Sequence, residues 1–176
     1  MAASSLKSPA MQKKLKKLKM LILDVDGIMT DARVFWLKGL GWTRVFHIKD
    51  GYGIRLMVKN GFEIAVISGG ESDDLHERMK VLGITEYHCG NEDKLIALEK
   101  ILSARGLKAE HVGYMGDELF DIPVLERAGF SATVPHAVDE VKKRVDYVTK
   151  SEGGAGAVRE VIDAIRKAQK IGPYLS

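Results

Sequence analysis

LKMLILDVDGIMTD, residues 18–31, is the stretch on which the fold turns. Its apolar run, Met20 to Leu23, is far below the ~20 residues that cross a bilayer. It has the length and all-apolar character of a strand buried on both faces of a parallel sheet. The run ends in Asp24, with Asp26 and Gly27 close behind. Side chains at i and i+2 face the same way, so both carboxylates stand at the C-terminal rim of the sheet, where α/β proteins bind ligands. Two such charges repel unless a cation or a developing positive centre holds them. An Asp-x-Asp is also a common turn or helix cap, so its company has to decide between the readings.

Outward from this stretch, short aliphatic runs alternate with helix-period segments, the signature of a parallel sheet flanked by helices. Strands are predicted at 20–24, 63–68, 86–89, 112–115, 131–134 and 147–149. Leu75, Met79 and Leu82, then Leu95, Leu98 and Leu102, then Val158, Val161, Ile162 and Ile165, mark the apolar faces of helices. Residues 32–46 break the alternation as two aromatic-rich extended runs around the glycine-bracketed turn Lys38 to Gly41, a predicted β-hairpin. Val34, Phe35, Trp36, Leu37, Trp42, Val45 and Phe46 make it too apolar for a freely solvated ribbon. It either folds onto its own domain or meets another subunit, and the marginal stability of an isolated hairpin favours the subunit.

Three more predicted strand ends carry polar groups. AVISGG places Ser68 and two glycines, whose hydroxyl and N–H groups suit an anion. NEDKLIALEK brings Lys94 into the first turn of a helix, where a core lysine would be costly. VGYMGDELFD supplies Asp117 and Asp121 after Gly116. Acid pair, hydroxyl, lysine and acid on successive strand ends are the parts of a Mg²⁺-dependent phosphoryl-transfer site.

These four stretches resemble the motifs of the haloacid dehalogenase superfamily of phosphatases, over about residues 18–168. With the hairpin, KDGYGIRL, RMKVLGI, GDELFDIPV and GGAGAVREV, the chain looks like the branch acting on phosphates of eight- and nine-carbon keto-deoxy sugar acids. The resemblance implies a three-layer, Rossmann-like α/β fold with a hairpin flap after the first strand and no cap domain. It also implies a homotetramer that sets the hairpin and tail of one subunit near another's active site. Asp24 would be the nucleophile and Asp26 the general acid and base. Ser68 and Lys94 would hold the phosphoryl group, and Asp24, Asp26 and Asp117 would ligate Mg²⁺ with Asp121 in support. His47, Ile48, Lys49, Asp50 and Gly51, largely through backbone groups, together with Arg55, Arg78, Asp26 and Lys94, would bind the sugar acid. The expected substrate is 3-deoxy-D-manno-octulosonate 8-phosphate; a nine-carbon 9-phosphate and a non-catalytic oligomerisation module are the alternatives. The chain departs from the pattern at Gly70 and Ala155, where arginines are common, and at Glu118, which replaces an aspartate.

The remaining features narrow the reading. A chain of 176 residues with 45% hydrophobic and 29% charged residues is about one domain long, and a net charge of +3 is too small to argue for nucleic acid. The boundaries expected are a basic arm at 1–17, a single hydrolase domain at 18–170 and a tail at 171–176. Lys7, Lys13, Lys14, Lys16, Lys17 and Lys19 all precede the first acid, Asp24, which reads as a solvated arm. Cys89 alone forms neither an internal disulfide nor a multi-cysteine metal site, in keeping with a cytoplasmic location and a structural thiol. His76, His88, His111 and His136 lack zinc-ligand spacing, and neither a P-loop nor a GxGxxG turn follows the first strand. No membrane segment or secretory leader is legible.

Overall fold

The structure is a computed structural model that describes residues 5–39, 41–90 and 93–174. Leu40 of the hairpin turn, Asn91 and Glu92 ahead of Lys94, and Leu175 and Ser176 of the tail lie outside the described residues. Six strands, β1 (Met20–Leu23), β4 (Glu63–Ile67), β5 (Glu86–His88), β6 (Val112–Met115), β7 (Phe130–Thr133) and β8 (Tyr147–Val148), form one sheet. Its order is β5-β4-β1-β6-β7-β8, and every pairing is parallel. Central β1 is buried along its whole length, as its uninterrupted apolar run requires. The predicted strands agree with this sheet to within a residue. Asp24, Ser68, Cys89 and Thr149 fall just past strand ends, in the loops where chemistry is done.

From β1 the chain steps outward to β4 and β5, then crosses back to β6, β7 and β8. With right-handed crossovers, that reversal sends the connecting helices to opposite faces. Helix α2 (Ile48–Lys59) packs with α3 (Asp73–Leu82) and α7 (Ala157–Gln169), and α4 (Lys94–Arg105) packs with α5 (Ile122–Arg127). A short α6 (Asp139–Lys142) precedes β8. The direction of winding changes between β1 and β6, so a crevice opens at the C-terminal ends of these two strands.

The basic arm differs from the solvated tail expected of it. Pro9–Lys17 form helix α1, with Ser8 capping its start, and it lies against α7. The cause is a short apolar stripe: Met11 and Leu15 sit one turn apart, and both are buried together with Leu18. Gln169 of α7 donates to the Leu15 and Leu18 carbonyls, while Lys14 pairs with Asp146 and Lys17 with Glu110.

Strands β2 (Val34–Leu37) and β3 (Gly41–Arg44) form the predicted hairpin with Trp36 opposite Trp42. Those rings meet edge to face at 5.2 Å, yet remain 64% and 52% exposed. Val34, Phe35, Trp36, Leu37, Trp42 and Val45 stay exposed rather than folding onto this chain, while Phe46 at the end of the hairpin segment packs against the core.

Leu15→Ala is expected to destabilise the protein by about 2–5 kcal/mol, the usual cost of truncating a fully buried leucine. Urea unfolding followed by circular dichroism measures it; a change below about 0.5 kcal/mol would mean that α1 detaches in solution.

Candidate active site

Asp24 directly follows β1, is almost fully buried, and donates its backbone N–H to the Met115 carbonyl of β6 at 2.9 Å. Lys94, at the N-terminus of α4, points its ammonium into the same space, 2.8 Å from Asp24 Oδ1 and 2.7 Å from Asp121 Oδ1. The lysine side chain has no solvent exposure, and the Phe120 ring covers its nitrogen at 4.4 Å. Such a cation persists away from water only with several acceptors around it.

Asp121 organises this cluster. Its Oδ1 accepts from Lys94 and from the Tyr114 hydroxyl, and its Oδ2 accepts from the backbone N–H groups of Asp117 and Glu118. Four donors occupy the roughly four lone-pair positions of a carboxylate. Asp117 is the opposite case, because its Oδ1 is buried without a hydrogen-bond partner. Burial first, and the charge of Asp121 second, push the Asp117 carboxyl up to about 7. Asp24 is raised for the same two reasons, with Lys94 opposing the shift. Burial foremost, then the neighbouring carboxylates, lift the Tyr114 hydroxyl well above its usual range.

Asp24, Asp117 and Asp121 each present a carboxylate oxygen within 4.8 Å of the others. Three carboxylates against one ammonium leave a charge of minus two when all are ionised. An unpartnered oxygen, raised acids and hard oxygen donors together fit a divalent cation of the Mg²⁺ type. The glycines give the acids room. A Cβ at Gly27 would collide with the Asp117 carboxylate, and one at Gly116 with the Asp121 side chain.

Ser68 follows β4 and is buried, and its Oγ accepts from the Gly70 N–H at 3.2 Å. Asp26 stands two residues past Asp24 with its side chain 37% exposed, open to the crevice. It does not stand alone. Arg44, the last residue of β3, donates through Nε to Asp26 Oδ1 at 2.7 Å and through Nη2 to Oδ2 at 3.0 Å. Its Nη1 donates to Ser72 and Asp74 at the start of α3.

The other candidates gather where α2 begins. His47 caps that helix, and its Nδ1 lies 3.2 Å from Asp50 Oδ2 without hydrogen-bond alignment. Asp50 is buried and accepts from the backbone N–H groups of Gly156 and Arg159, which ties α2 to the start of α7. Arg78 of α3 reaches the His47 carbonyl at 3.5 Å, stacks 5.0 Å over Phe46, and keeps Nε buried without a partner. Gly51 leaves the space that Arg78 fills. Ile48 and Lys49 are exposed in the first turn of α2, and Arg55 is exposed a turn further on.

The structure therefore brings Asp24, Lys94, Asp117 and Asp121 into one cluster with Asp26 and Ser68 at the same strand ends, and groups His47, Asp50, Gly51 and Arg78 separately. Arg55 enters neither set of contacts. Arg44 is the functional candidate that sequence reading missed. The signal was present, for it is the one cation in the apolar run 42–46.

A six-stranded sheet with this switch point, and an acid pair, serine, lysine and acid on its strand ends, defines the haloacid dehalogenase-like hydrolases. The chain belongs to that class, whose family profile matches residues 83–162. The 3-deoxy-D-manno-octulosonate 8-phosphate phosphatase of Escherichia coli strain K12 is 39% identical over 156 residues, 89% of this chain and 83% of the relative. That of Salmonella typhimurium strain LT2 is 38% identical over 162 residues, 92% and 86% of the two chains. The structure of the phosphatase of that name from Yersinia pestis superposes with a TM-score of 0.88 at 36% identity, covering 92% of this chain and 88% of that one. The Moraxella catarrhalis phosphatase, in complex with a magnesium ion, a phosphate ion and a KDO molecule, gives 0.87 at 36%, covering 90% and 91%. Within its class the chain stands in the 3-deoxy-D-manno-octulosonate 8-phosphate phosphatase family.

The raised acids give metal-stripped protein a pH dependence of known sign. A carboxyl whose folded pKa lies above its unfolded value holds more protons folded than unfolded between the two, so stability falls as pH rises through that window. For Asp117 the window runs from 3.8 to about 7. In EDTA the melting temperature is expected to drop across it, and added Mg²⁺ to raise the melting temperature more at pH 8 than at pH 5. Equal stabilisation at both pH values in differential scanning fluorimetry would dissociate the metal from these acids.

Proposed function

We propose that the protein hydrolyses 3-deoxy-D-manno-octulosonate 8-phosphate to the free sugar acid and inorganic phosphate, with Mg²⁺ as its metal, in the cytoplasmic synthesis of a lipopolysaccharide precursor. The observation that carries this reading is the buried Asp24 and Lys94 pair with an unpartnered Asp117 oxygen beside it. A carboxylate so placed is costly as structure and apt as a nucleophile once a divalent cation balances the cluster. The substrate is supported by the names of relatives at 38–39% identity and by the magnesium, phosphate and KDO bound to the Moraxella phosphatase.

Asp24, the backbone carbonyl of Asp26 and Asp117 would hold Mg²⁺, which would offset charge on the phosphoryl oxygens. Asp24 attacks phosphorus in line, the bond from phosphorus to the sugar oxygen breaks, and Asp26 gives that oxygen a proton. Water then attacks phosphorus of the aspartyl-phosphate, Asp26 takes its proton, and phosphate leaves with Asp24 restored. Ser68 and Lys94 neutralise and position the phosphoryl oxygens. Asp121, with its four donors, holds Lys94 and the Asp117 turn in place. For the sugar acid, the first turn of α2 offers the N–H groups of Ile48, Lys49 and Asp50, which lack intrahelical partners. His47 and Gly51 flank that turn, and Arg55 and Arg78 serve the substrate carboxylate. No helix among the described residues is long and apolar enough to cross a membrane.

Purified protein is expected to release phosphate from this substrate only with Mg²⁺, and faster than from a nine-carbon 9-phosphate when compared by kcat/KM. Asp24→Asn is expected to lower turnover at least about a thousandfold with an unchanged circular dichroism spectrum. An active Asp24→Asn protein would refute the aspartyl-phosphate route.

The exposed side chains of Val34, Phe35, Trp36, Leu37, Trp42 and Val45 support assembly through the hairpin into the homotetramer that the family resemblance implies. Light scattering at micromolar concentration is expected to give the tetramer mass, which Trp36→Glu should reduce. A monomeric wild type would overturn this assembly.

A further inference from the structure

Asp26 is the acid and base of the proposed mechanism, yet nothing in its own loop fixes its carboxylate. Among the described residues, both hydrogen bonds to that carboxylate come from Arg44, which stands 18 residues away on the hairpin. The paired contact through Nε and Nη2 is the geometry in which a guanidinium sets the plane of a carboxylate as well as its distance. It uses one lone pair on each oxygen and leaves the second free toward the crevice. The side chains differ in access: Asp26 is 37% exposed and Arg44 only 6%. A guanidinium so covered faces its acceptors rather than a ligand.

Arg44 is itself held from behind. Its Nη1 donates to Ser72 Oγ at 2.8 Å and Asp74 Oδ1 at 3.3 Å, its backbone N–H donates to Asp74 Oδ2 at 2.9 Å, and Ser72 donates to Asp74 at 2.6 Å. The space for the guanidinium is provided by Gly70. A Cβ built there would stand 2.7 Å from Arg44 Nη2, 3.5 Å from Asp26 Oδ2 and 3.7 Å from Ser68 Oγ. Any side chain at position 70 would compete with Arg44 for this place.

We propose that Arg44 is a positioning residue of the active site, which fixes the Asp26 carboxylate for proton exchange with the leaving oxygen, and that Gly70 is the clearance that admits it. The proposal rests on the acid and base reading of Asp26. Arg44 acts through Asp26, so removing it should matter most where the leaving group needs a proton. A sugar alkoxide needs one and p-nitrophenolate does not.

The experiment measures kcat/KM of the Mg²⁺-loaded protein for 3-deoxy-D-manno-octulosonate 8-phosphate and for p-nitrophenyl phosphate. For Arg44→Met the ratio of sugar phosphate to aryl phosphate is expected to fall at least about tenfold, a fraction of the 10²–10⁴ that positioned proton transfer supplies. Arg44→Lys keeps the charge but not the two-point contact, and is expected to fall on the same side. Gly70→Ala is expected to lower the ratio in the wild type and to leave it unchanged in Arg44→Met, because the two act on one contact. An unchanged ratio in Arg44→Met, or an equal loss on both substrates, would overturn the proposal. So would full rescue by Arg44→Lys or additive losses in the double variant. Asp26→Asn separates the two levels. If it leaves the ratio intact, the acid and base reading of Asp26 fails, whereas a lowered ratio in Asp26→Asn alone leaves that reading standing and removes Arg44 from it.

Discussion

A buried ammonium between two buried carboxylates, with a third half-buried beside them, sets the terms for the rest of the molecule. Each ion withdrawn from water costs several kcal/mol even after relaxation, so Lys94 can be fully buried only because Asp24 and Asp121 lie within 2.8 Å of it. Asp121 in turn is held by two backbone N–H groups and Tyr114, so its orientation belongs to the turn after β6 rather than to solvent. What this arrangement leaves over is negative charge at Asp117, and its orphaned oxygen marks where a cation restores the balance. The donor set thus fits a divalent ion, which would offset the negative charge that burial concentrates there.

That charge cluster can close only because three loops approach more tightly than side chains allow. Gly27 clears the Asp117 carboxylate, and Gly116 clears Asp121. Gly153 in turn has the Gly27 carbonyl where a Cβ would be. The 153–156 loop therefore lies directly on the turn that follows Asp24, with the Gly154 N–H donating to the Ile28 carbonyl and the Gly156 N–H to Asp50. Through Asp50 the same loop fixes the start of α2. One glycine-rich segment near the end of the chain connects the turn after β1 with the first turn of α2, and the reversal of winding between β1 and β6 opens the crevice beside it.

How far sequence reading reached follows from the range of the interactions involved. The strands, the order of polar groups on their ends and the hairpin were legible because each is written in local periodicity: Met20 to Leu23, AVISGG and Trp42 to Phe46 need no partner to be recognised. The α1 helix was obscured by charge. Its lysines outnumber its apolar residues, and only Met11, Leu15 and Leu18 in register reveal a buried face. Arg44 is conspicuous in the sequence as a lone cation in an apolar run, but its role is not legible there. Its meaning depends on Asp26, Gly70 and Asp74, three residues that meet it only in the folded chain. Gly70 reads in the sequence as a position without a side chain, but one sequence cannot show that the space beside it is taken by Arg44 from another strand.

The hairpin shows how closely stability and chemistry are joined here. Two four-residue strands with an edge-to-face tryptophan pair are too little to hold a ribbon in water by themselves. Arg44 gives β3 a hydrogen-bonded attachment to the body, made to Asp26 on one side and to Ser72 and Asp74 on the other. The contact that orients Asp26 is therefore also one that anchors the hairpin, while the aromatic side chains remain outside. The exposed Trp42 and the Arg44 that pairs with Asp26 are thus carried by one short strand.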